Sequence, residues 1–372
     1  MIAQSVTAFE RGPGGGPVAV AMSGGVDSSV AAALLQEAGF DVFGLTMDLF
    51  HPPGGRCGED ASPGCCGSGA RRDAGAVAAT LGIPFFVADF RRTFEKAVIE
   101  DFVAEYRRGR TPNPCLRCNR FVKFGPLLRR VGRLGAAALA TGHYARVGMD
   151  AASGRWLLRK ASDPAKDQSY FLYSLPQDVL ARTIFPLGGL RKTEVRALAE
   201  KMRLPVARKP ESQEICFVPD DDYVGFLKPR APEAFRPGDI AGPDGRTIGR
   251  HGGIARYTVG QRKGLGIAAP RPLYVVGIDA AANRIMVGPN EALLRRRLLV
   301  EGVNWSAIEE LKAPRTASVK IRSRHAEARA VLHPEVGGRI VVEFERAQRA
   351  ATPGQAAVFY DGDVILGGGT IV

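Results

Sequence analysis

No stretch of this 372-residue chain is apolar enough to cross a membrane. Hydrophobic residues make up 45% of the chain, but no run of them approaches the roughly 20 residues that a spanning helix needs. The N-terminal residues also lack the charged, apolar and small-residue regions of a secretory signal peptide. The sequence therefore predicts a cytoplasmic protein with no membrane partner.

Acidic residues are fewer than basic residues in this chain. The chain has 38 Asp and Glu against 51 Lys and Arg, which gives a net charge of +13 and a pI near 9.7. Such an excess favours a polyanionic partner, nucleic acid above all, although a GC-rich genome also enriches its proteins in arginine. The charged fraction of 24% is typical of a folded chain, and the length predicts two or three domains.

Cysteine is scarce, with six residues and no signal peptide, which argues against a disulfide scaffold. The pair Cys115 and Cys118 has C-x-x-C spacing. A zinc ribbon needs a second pair about 15–20 residues away, and Cys65-Cys66 lies outside that window. A thioredoxin-like redox motif is expected in a different context, after a strand. Both interpretations stay weaker alternatives.

The most informative segment is Ser23–Ser29, with the sequence Ser-Gly-Gly-Val-Asp-Ser-Ser. It follows the apolar run Val18–Met22 and precedes a helical pattern over Val30–Ala38. A strand that turns through small residues into a helix directs backbone N–H groups at one point and creates an anion site. The Gly-Lys-Ser/Thr ending of a Walker A loop is absent, so the alternatives are another phosphate loop or an ordinary tight turn.

Strand and helix patterns alternate up to about residue 145. We expect strands over 18–22, 41–49, 83–90 and 136–141, and helices over 30–38, 71–81, 93–108 and 121–134. This β-α-β-α-β-α-α-β order predicts an α/β domain built on a doubly wound parallel sheet, with ligands outside the carboxyl ends of its strands.

After about residue 217, short β-rich runs replace the helices. One β-rich run covers 240–248, and a hairpin is expected over 273–278 and 284–287. Six further runs predict a small C-terminal β-barrel: 298–303, 317–322, 328–332, 339–344, 356–360 and 364–371. We therefore divide the chain into a catalytic α/β domain (1–216), a small central β-rich domain (217–288) and a β-barrel domain (289–372).

Two thiol sites carry the remaining chemistry. Cys115 and Cys118 follow the rigid Pro112-Asn113-Pro114 loop and are expected just before a helix. A thiol there, amid Arg117, Arg120 and Lys123, should have a lowered pKa and be partly ionised. The residues around Cys216 would not activate it, and alone it would more often be a buried structural thiol.

The loop at Ser23–Ser29 resembles the PP-loop of ATP pyrophosphatases, which cleave ATP between its α and β phosphates and leave AMP on a carbonyl oxygen. Nearly the whole chain resembles the tRNA-specific 2-thiouridylases. The matching motifs are Met22–Ser29, Gly109–Pro114, Cys118–Phe124, Thr141–Tyr144, Lys166–Leu172, Ile215–Phe217, Gly260–Gly266 and Thr352–Gln355. Several ligases share a PP-loop, whereas the motifs at Lys166–Leu172 and Gly260–Gly266 together are specific to this family.

The resemblance implies ATP-dependent 2-thiolation of the wobble uridine of tRNA. The C2 oxygen of the base would be adenylated, Cys216 would carry a persulfide, and Cys118 would be the nucleophile. The partners implied are the tRNAs for Lys, Glu and Gln and a sulfur-donor protein, a cysteine desulfurase or a sulfur-relay protein. ATP with Mg²⁺ would bind at Ala21, Met22, Ser23, Gly24, Gly25, Val26, Asp27, Ser28, Met47 and Gly142, the last two on the adenine and ribose side.

For the RNA, the resemblance points to Asn113, Pro114 and Cys115 around the target base. Other matching positions that would touch the tRNA are His143, Lys166, Asp167, Gln168, Arg322, Ser323 and Gln355. Each also has an ordinary structural interpretation, as a strand-end histidine, a solvated turn or a surface arginine. Without the family pattern, those structural interpretations would be preferred.

Position 115 departs from the family pattern. Many members have an aspartate there, commonly regarded as a general base, so either the Cys115 thiolate serves or the base comes from elsewhere. Alternatively, Cys115, Cys118 and Cys216 could hold a [4Fe–4S] cluster whose open iron binds sulfide. Cys57, Cys65 and Cys66 lie in a loop rich in Gly and Pro, and no catalytic role is expected for them.

Two other functional classes remain as alternatives. Another PP-loop adenylating enzyme, such as an amide-forming synthetase, would need an amine or glutamine donor site and would tolerate the loss of Cys216. An RNA-binding protein with an inactive loop would bind tRNA without ATP, and substitution of Asp27 by alanine would leave its function intact.

Overall fold

The computed structural model describes residues 15–51, 68–211 and 215–372; Cys57, Cys65 and Cys66 lie outside these ranges. The chain forms two compact units. The first comprises Met1–Val98, Cys115–Asp221 and Asp363–Ile365, and the second comprises Ile99–Pro114, Asp222–Gly362 and Leu366–Val372. Within the described ranges, no helix combines the length and apolar character that crossing a membrane requires.

The first unit contains a five-stranded parallel sheet with the order β3-β2-β1-β4-β7. Its strands are β1 (Val18–Ala21), β2 (Val42–Asp48), β3 (Phe85–Asp89), β4 (Ala138–Thr141) and β7 (Thr183–Ile184). The first four confirm the predicted strands. Val20, Val30, Leu35 and Ala140 are fully buried, because α1 (Val26–Glu37) packs on the sheet and closes the core. The predicted α/β class is confirmed.

The other helices are mostly short, and two runs of them are joined by π-helical turns. The helices are α2 (Ser68–Leu81), α3 (Arg91–Phe94), α4 (Glu100–Arg107), α5 (Pro114–Cys118), α6 (Leu128–Arg133), α7 (Gln177–Leu180) and α8 (Lys192–Lys201). Residues Glu95–Ile99 join α3 to α4, and Asn119–Leu127 join α5 to α6. The second π-helical segment contains Pro126, which lacks the N–H group that a regular α-helix would use there.

The helix that follows the proline-rich loop starts earlier than expected. The sequence pattern predicts a start near Phe121, but the helical run begins at Pro114. Proline suits the first helical position, because its φ is preset and its missing N–H would have no partner within the helix. Cys115 and Cys118 therefore lie inside the helix, and the prediction that they precede it is wrong.

A hairpin in the first unit was not predicted. It consists of β5 (Arg146–Asp150) and β6 (Arg155–Arg159). Arg146 and Arg159 each form an ion pair with Asp363 of the same unit, with nitrogen–oxygen distances of 2.9 and 3.1 Å. These ion pairs attach the hairpin to a residue that lies more than 200 positions later in the sequence.

The second unit contains a four-stranded sheet with the order β10-β11-β8-β9. Its elements are α9 (Tyr223–Leu227), β8 (Gly238–Ala241), β9 (Thr247–His251), β10 (Tyr274–Asp279) and β11 (Arg284–Gly288). The expected β-rich run over 240–248 is the β8–β9 hairpin, whose turn is closed by a bond from the Gly242 N–H to the Arg246 carbonyl. The hairpin predicted near residue 280 is confirmed as β10–β11.

Six antiparallel strands form the C-terminal barrel, in the order β12-β15-β14-β13-β16-β17, with β12 and β17 paired to close it. They are β12 (Leu294–Trp305), β13 (Arg315–Lys320), β14 (Ala328–Pro334), β15 (Ile340–Arg349), β16 (Ala356–Asp361) and β17 (Val364–Ile371). Val300, Leu332, Val342 and Phe359 fill its interior without solvent exposure. The predicted barrel is confirmed.

Candidate active site

The candidate site lies at the point where the order of the parallel sheet reverses. Strand β1 lies between β2 and β4, so the chain leaves β1 on one side and returns on the other. Loops at such a switch point diverge and leave a crevice outside the carboxyl ends of the strands. Here the crevice lies between Ser23–Gly25, which follow β1, and Gly142-His143, which follow β4.

A glycine in each of these loops allows close approach to neighbouring backbone, that of α2 at Gly24 and that of the start of α1 at Gly142. Gly24 has φ of +69°, and a side chain there would collide with the carbonyl oxygen of Ala70. At Gly142, a Cβ atom would lie 2.6 Å from the backbone nitrogen of Ser28. Neither position leaves room for a side chain, so the close contacts of both loops depend on glycine.

These loops enclose a cavity of about 200 Å³. Seven of the ten predicted nucleotide-binding residues line it: Ala21, Met22, Ser23, Asp27, Ser28, Met47 and Gly142. The other three are Gly24 and Gly25 of the same turn and Val26, the first residue of α1, and they are not among the lining residues. Leu49, Lys123, Thr141, His143 and Gln168 complete the lining. The structure thus brings His143 and Gln168, two residues predicted to bind tRNA, to the predicted nucleotide site.

A network of charged side chains surrounds Asp27. Its Oδ1 accepts hydrogen bonds from the Tyr144 hydroxyl at 2.8 Å and from the Lys192 Nζ at 2.6 Å. Lys192 also contacts Glu211 at 2.7 Å, and Lys166 contacts the other oxygen of Glu211 at 2.6 Å. Burial alone would raise the pKa of Glu211, but the hydrogen bonds from Lys166 and Lys192 outweigh it and lower the pKa to about 2. Burial and the Asp27 charge raise the pKa of Tyr144, which therefore stays a donor.

A second lysine contacts the loop itself. The Lys209 Nζ donates to the carbonyl oxygen of Gly24 at 3.0 Å and pairs with Asp73. Neither Lys192 nor Lys209 was predicted from the sequence. Lys192 did offer a signal, since it is the first residue of α8 and a cation is unfavourable at a helix N-terminus unless it has another role.

The three described cysteines differ in exposure. Cys115 is exposed, Cys118 is 8% exposed and Cys216 is half-buried. Within the described ranges, no three Cys, His, Asp or Glu side chains are grouped closely enough to hold a metal ion. The three thiols are therefore not arranged as the ligand set of an iron–sulfur cluster.

The segments that carry Cys118 and Cys216 contact the same short helical stretch. The Arg117 Nε donates to the carbonyl oxygen of Ala97 at 3.3 Å. The Phe217 ring packs edge-on against Phe94, with ring centroids 5.6 Å apart. Phe94 and Ala97 are three residues apart, about one helical turn, so both cysteine-bearing segments contact the same turn of the chain.

Most of the predicted tRNA-binding residues in the first unit have partners within the protein. Asp167 accepts hydrogen bonds from the Ala161 N–H and from the N–H and hydroxyl of Ser169. The Gln168 side chain accepts the Tyr144 N–H at 2.9 Å. These bonds fix the turn beside the cavity, so both residues also have a structural role.

In the second unit, a loop near the predicted target-base residues is held by the barrel. The Gln355 Nε2 donates to the Thr111 carbonyl oxygen at 2.7 Å, and the Thr111 N–H donates to Pro353. Asn113 and Pro114 follow in the same unit. Arg322 donates to the Arg349 carbonyl oxygen at 2.9 Å, and Ser323 lies in the adjoining turn.

His143 is expected to make stability depend on pH. Burial and the neighbouring Lys123 charge lower its pKa well below 6.5, and its Nδ1 lies 2.7 Å from the Thr141 hydroxyl. As the pH falls below about 6.5, His143 becomes protonated in the unfolded chain but stays neutral in the folded protein. The free energy of unfolding therefore decreases. Urea unfolding at pH 7.5 and 5.5 measures this loss. His143→Asn should reduce the loss, and an identical loss in the variant would contradict the assignment.

Comparisons with known proteins find similar proteins along nearly the whole chain. Three family models match: tRNA methyl transferase HUP domain at residues 16–220, tRNA methyl transferase PRC-barrel domain at 225–289, and Aminomethyltransferase beta-barrel domain at 295–371. The tRNA-specific 2-thiouridylase MnmA of Heliobacterium modesticaldum is 52% identical, over 95% of this chain and 92% of its own. The MnmA protein of Symbiobacterium thermophilum is 51% identical, over 96% and 93% of the two chains. This chain therefore belongs to the tRNA-specific 2-thiouridylase family.

Proposed function

We propose that this protein catalyses the ATP-dependent 2-thiolation of the wobble uridine of tRNA. The observation that carries the proposal is the cavity at the switch point of the sheet, where seven of the ten expected nucleotide-binding residues meet. The turn with Gly24 and Gly25 and the hydroxyl groups of Ser23 and Ser28 suit the phosphates of a nucleoside triphosphate. Family membership supports this reaction, and the net charge of +13 suits a tRNA substrate.

In the first step, the C2 oxygen of the uracil attacks the α-phosphorus of ATP and displaces pyrophosphate. The target base must leave its stack for C2 to become accessible. Backbone N–H groups at the start of α1 would bind the phosphates, with Met47 and Gly142 on the side of the nucleoside. Asp27 would hold a Mg²⁺ ion together with phosphate oxygens, and that ion would neutralise charge on the leaving pyrophosphate.

The two lysines are suited to bind the leaving group. Lys192 and Lys209 reach the loop from outside it, and both contact acidic or carbonyl oxygens there. An ammonium group can exchange such a carboxylate partner for a pyrophosphate oxygen at little cost, because both are anionic oxygens. We assign to these lysines the stabilisation of pyrophosphate as its bond to the α-phosphorus breaks.

In the second step, sulfur replaces the activated oxygen. A sulfur-donor protein transfers a sulfane sulfur to Cys216, which becomes a persulfide. The Cys118 thiolate attacks the inner sulfur of that persulfide, forms a disulfide with Cys216 and releases hydrosulfide. Hydrosulfide adds to C2 of the adenylated base, and AMP leaves with the former C2 oxygen. An external thiol then reduces the disulfide before the next turnover.

Cys115 occupies the position of the usual aspartate. Its exposed side chain, one residue after the start of α5, could take the N3 proton of the uracil as the base is activated. A [4Fe–4S] cluster on Cys115, Cys118 and Cys216 would instead need the three thiols close together, and the absence of such a grouping within the described ranges favours the persulfide route.

Substitution of Asp27 tests the proposal. Purified protein, a tRNA for Lys, Glu or Gln, ATP and a persulfide donor should yield 2-thiouridine, measured by mass spectrometry of the digested tRNA. Asp27→Ala should reduce the rate at least about 100-fold, because the phosphates lose their Mg²⁺ ligand. Asp41→Ala, which removes an exposed carboxylate at the opposite end of the sheet, is the control.

Three outcomes would count against parts of this assignment. No thiolation by the unmodified protein would overturn the function. Thiolation unaffected by Asp27→Ala would overturn the placement of ATP. About four irons per chain after anaerobic purification, with activity lost on chelation, would replace the persulfide route by the cluster.

A further inference from the structure

We propose that Phe121, with the guanidinium groups of Arg117 and Arg120, forms a stacking site for an unpaired anticodon base of the tRNA. This inference rests on the proposed function, since it takes tRNA as the substrate. It adds a binding surface beyond the tRNA-binding residues that the family resemblance implies.

The geometry places an aromatic ring beside two guanidinium groups at the protein surface. Phe121 lies in the π-helical segment that follows α5, and 36% of it is exposed. The Arg117 guanidinium carbon lies 4.3 Å from the centre of the ring, and that of Arg120 lies 5.2 Å from it. Both distances fall within the range of cation–π contacts, so the arginines hold the ring in a defined orientation.

Phe121 does not belong to the core of its own helix. Val122, Phe124 and Leu127 of the same segment are 1% exposed or less and fill the apolar interior. Phe121 and Arg120 lie on the exposed side. An aromatic ring left in contact with water beside two arginines is more typical of a binding surface than of a packing residue.

The charge of this helical run favours RNA as the occupant. Residues 114–133 contain Arg117, Arg120, Lys123, Arg129, Arg130 and Arg133, and they contain no Asp or Glu. Six cations without a single carboxylate attract a phosphate backbone. Single-stranded RNA is typically bound by this combination, in which aromatic rings and guanidinium planes stack on bases while cations contact phosphates.

The position of the ring along the chain suggests which base it binds. Cys118, the proposed nucleophile, lies between Arg117 and Arg120 in sequence, and Lys123 of the same segment lines the nucleotide cavity. When the wobble uridine is flipped out, its neighbour in the anticodon loop loses a stacking partner. We therefore assign the Phe121 ring to the base next to the wobble uridine.

A short RNA provides the test. The probe is an anticodon stem-loop with 2-aminopurine beside the wobble position, because this base loses fluorescence when it stacks. Phe121→Ala should weaken stem-loop binding about 10-fold and abolish the quenching, and Phe121→Trp should restore both. The KM for ATP should not change. Leu134→Ala, which truncates another exposed apolar side chain just after α6, is the matched control and should bind like the unmodified protein.

The outcomes separate this inference from the proposed function. Unchanged RNA binding and quenching in Phe121→Ala would overturn the stacking site. In another outcome, Phe121→Ala would bind RNA normally but receive sulfur from the donor protein more slowly, with inorganic sulfide restoring its thiolation rate. That result would also overturn the stacking site and would assign the surface to the donor protein. Quenching that depends on Phe121 in a protein that does not thiolate would support the stacking site and refute the function.

Discussion

Replacement of Cys216 by serine is expected to abolish 2-thiouridine formation while tRNA-dependent release of pyrophosphate from ATP continues. In the proposed mechanism, the base is adenylated in the cavity beside Asp27, and sulfur is delivered by a thiol that becomes a persulfide. A serine hydroxyl cannot accept sulfane sulfur. We therefore expect the rate of thiolation to fall at least about 1,000-fold, with pyrophosphate release changed much less.

Mass spectrometry of the intact protein can assign the two cysteines. After incubation with the donor, Cys118→Ser should retain one extra sulfur atom on Cys216, because no thiolate remains to displace it. Cys216→Ser should carry no added sulfur. The double variant should be no less active than either single variant, since the two thiols act in one sequence. Full thiolation by Cys216→Ser would refute the carrier role, and added sulfur on Cys118 alone would reverse the assignment.

Gly142→Ala is expected to close the nucleotide cavity. The new Cβ would lie 2.6 Å from the Ser28 nitrogen and 3.0 Å from the Asp27 Cβ, so the loops after β1 and β4 would have to separate. Such crowding in a packed region costs about 1–3 kcal/mol of stability. We expect the Kd for ATP to rise at least about 10-fold, because the displaced backbone is the part to which the proposed function assigns phosphate binding.

Titration of the variant with ATP measures the change, and a thermal melt measures the cost in stability. Gly148→Ala is the control, because a Cβ at that position meets no atom within 4 Å. It should bind ATP normally. If Gly142→Ala retained normal affinity in a folded protein, the cavity would not be the ATP site.

The phosphate loop could be predicted because its information is local. A strand, small residues and a helix within about 20 positions define the turn, and the structure confirms the strand before it and the helix after it. The lysines that complete it could not be found in this way. Lys192 and Lys209 contact loop residues that lie 165 and 185 positions earlier, and only the folded chain brings them there.

The errors in the predicted elements also have physical causes. The Pro112-Asn113-Pro114 segment is typical of a rigid loop, but its second proline is compatible with a helix that starts at that residue. The β5–β6 hairpin was not predicted because most of its residues are partly exposed, so no buried apolar run marks its strands. Its support comes from Asp363, far away in the sequence.

The hydrogen bonds of Thr111 have a consequence for synthesis of the protein on the ribosome. Residues 99–114 are made early, yet their unit also contains residues 222–362, and the partners of Thr111 are Pro353 and Gln355 near the end of the chain. A nascent chain can therefore complete most of its parallel sheet before the hydrogen-bond partners of residues 99–114 have been synthesised. Emergence of residues 353–355 from the ribosome, rather than synthesis of the sheet, then sets the moment at which the segment next to Cys115 acquires its final structure.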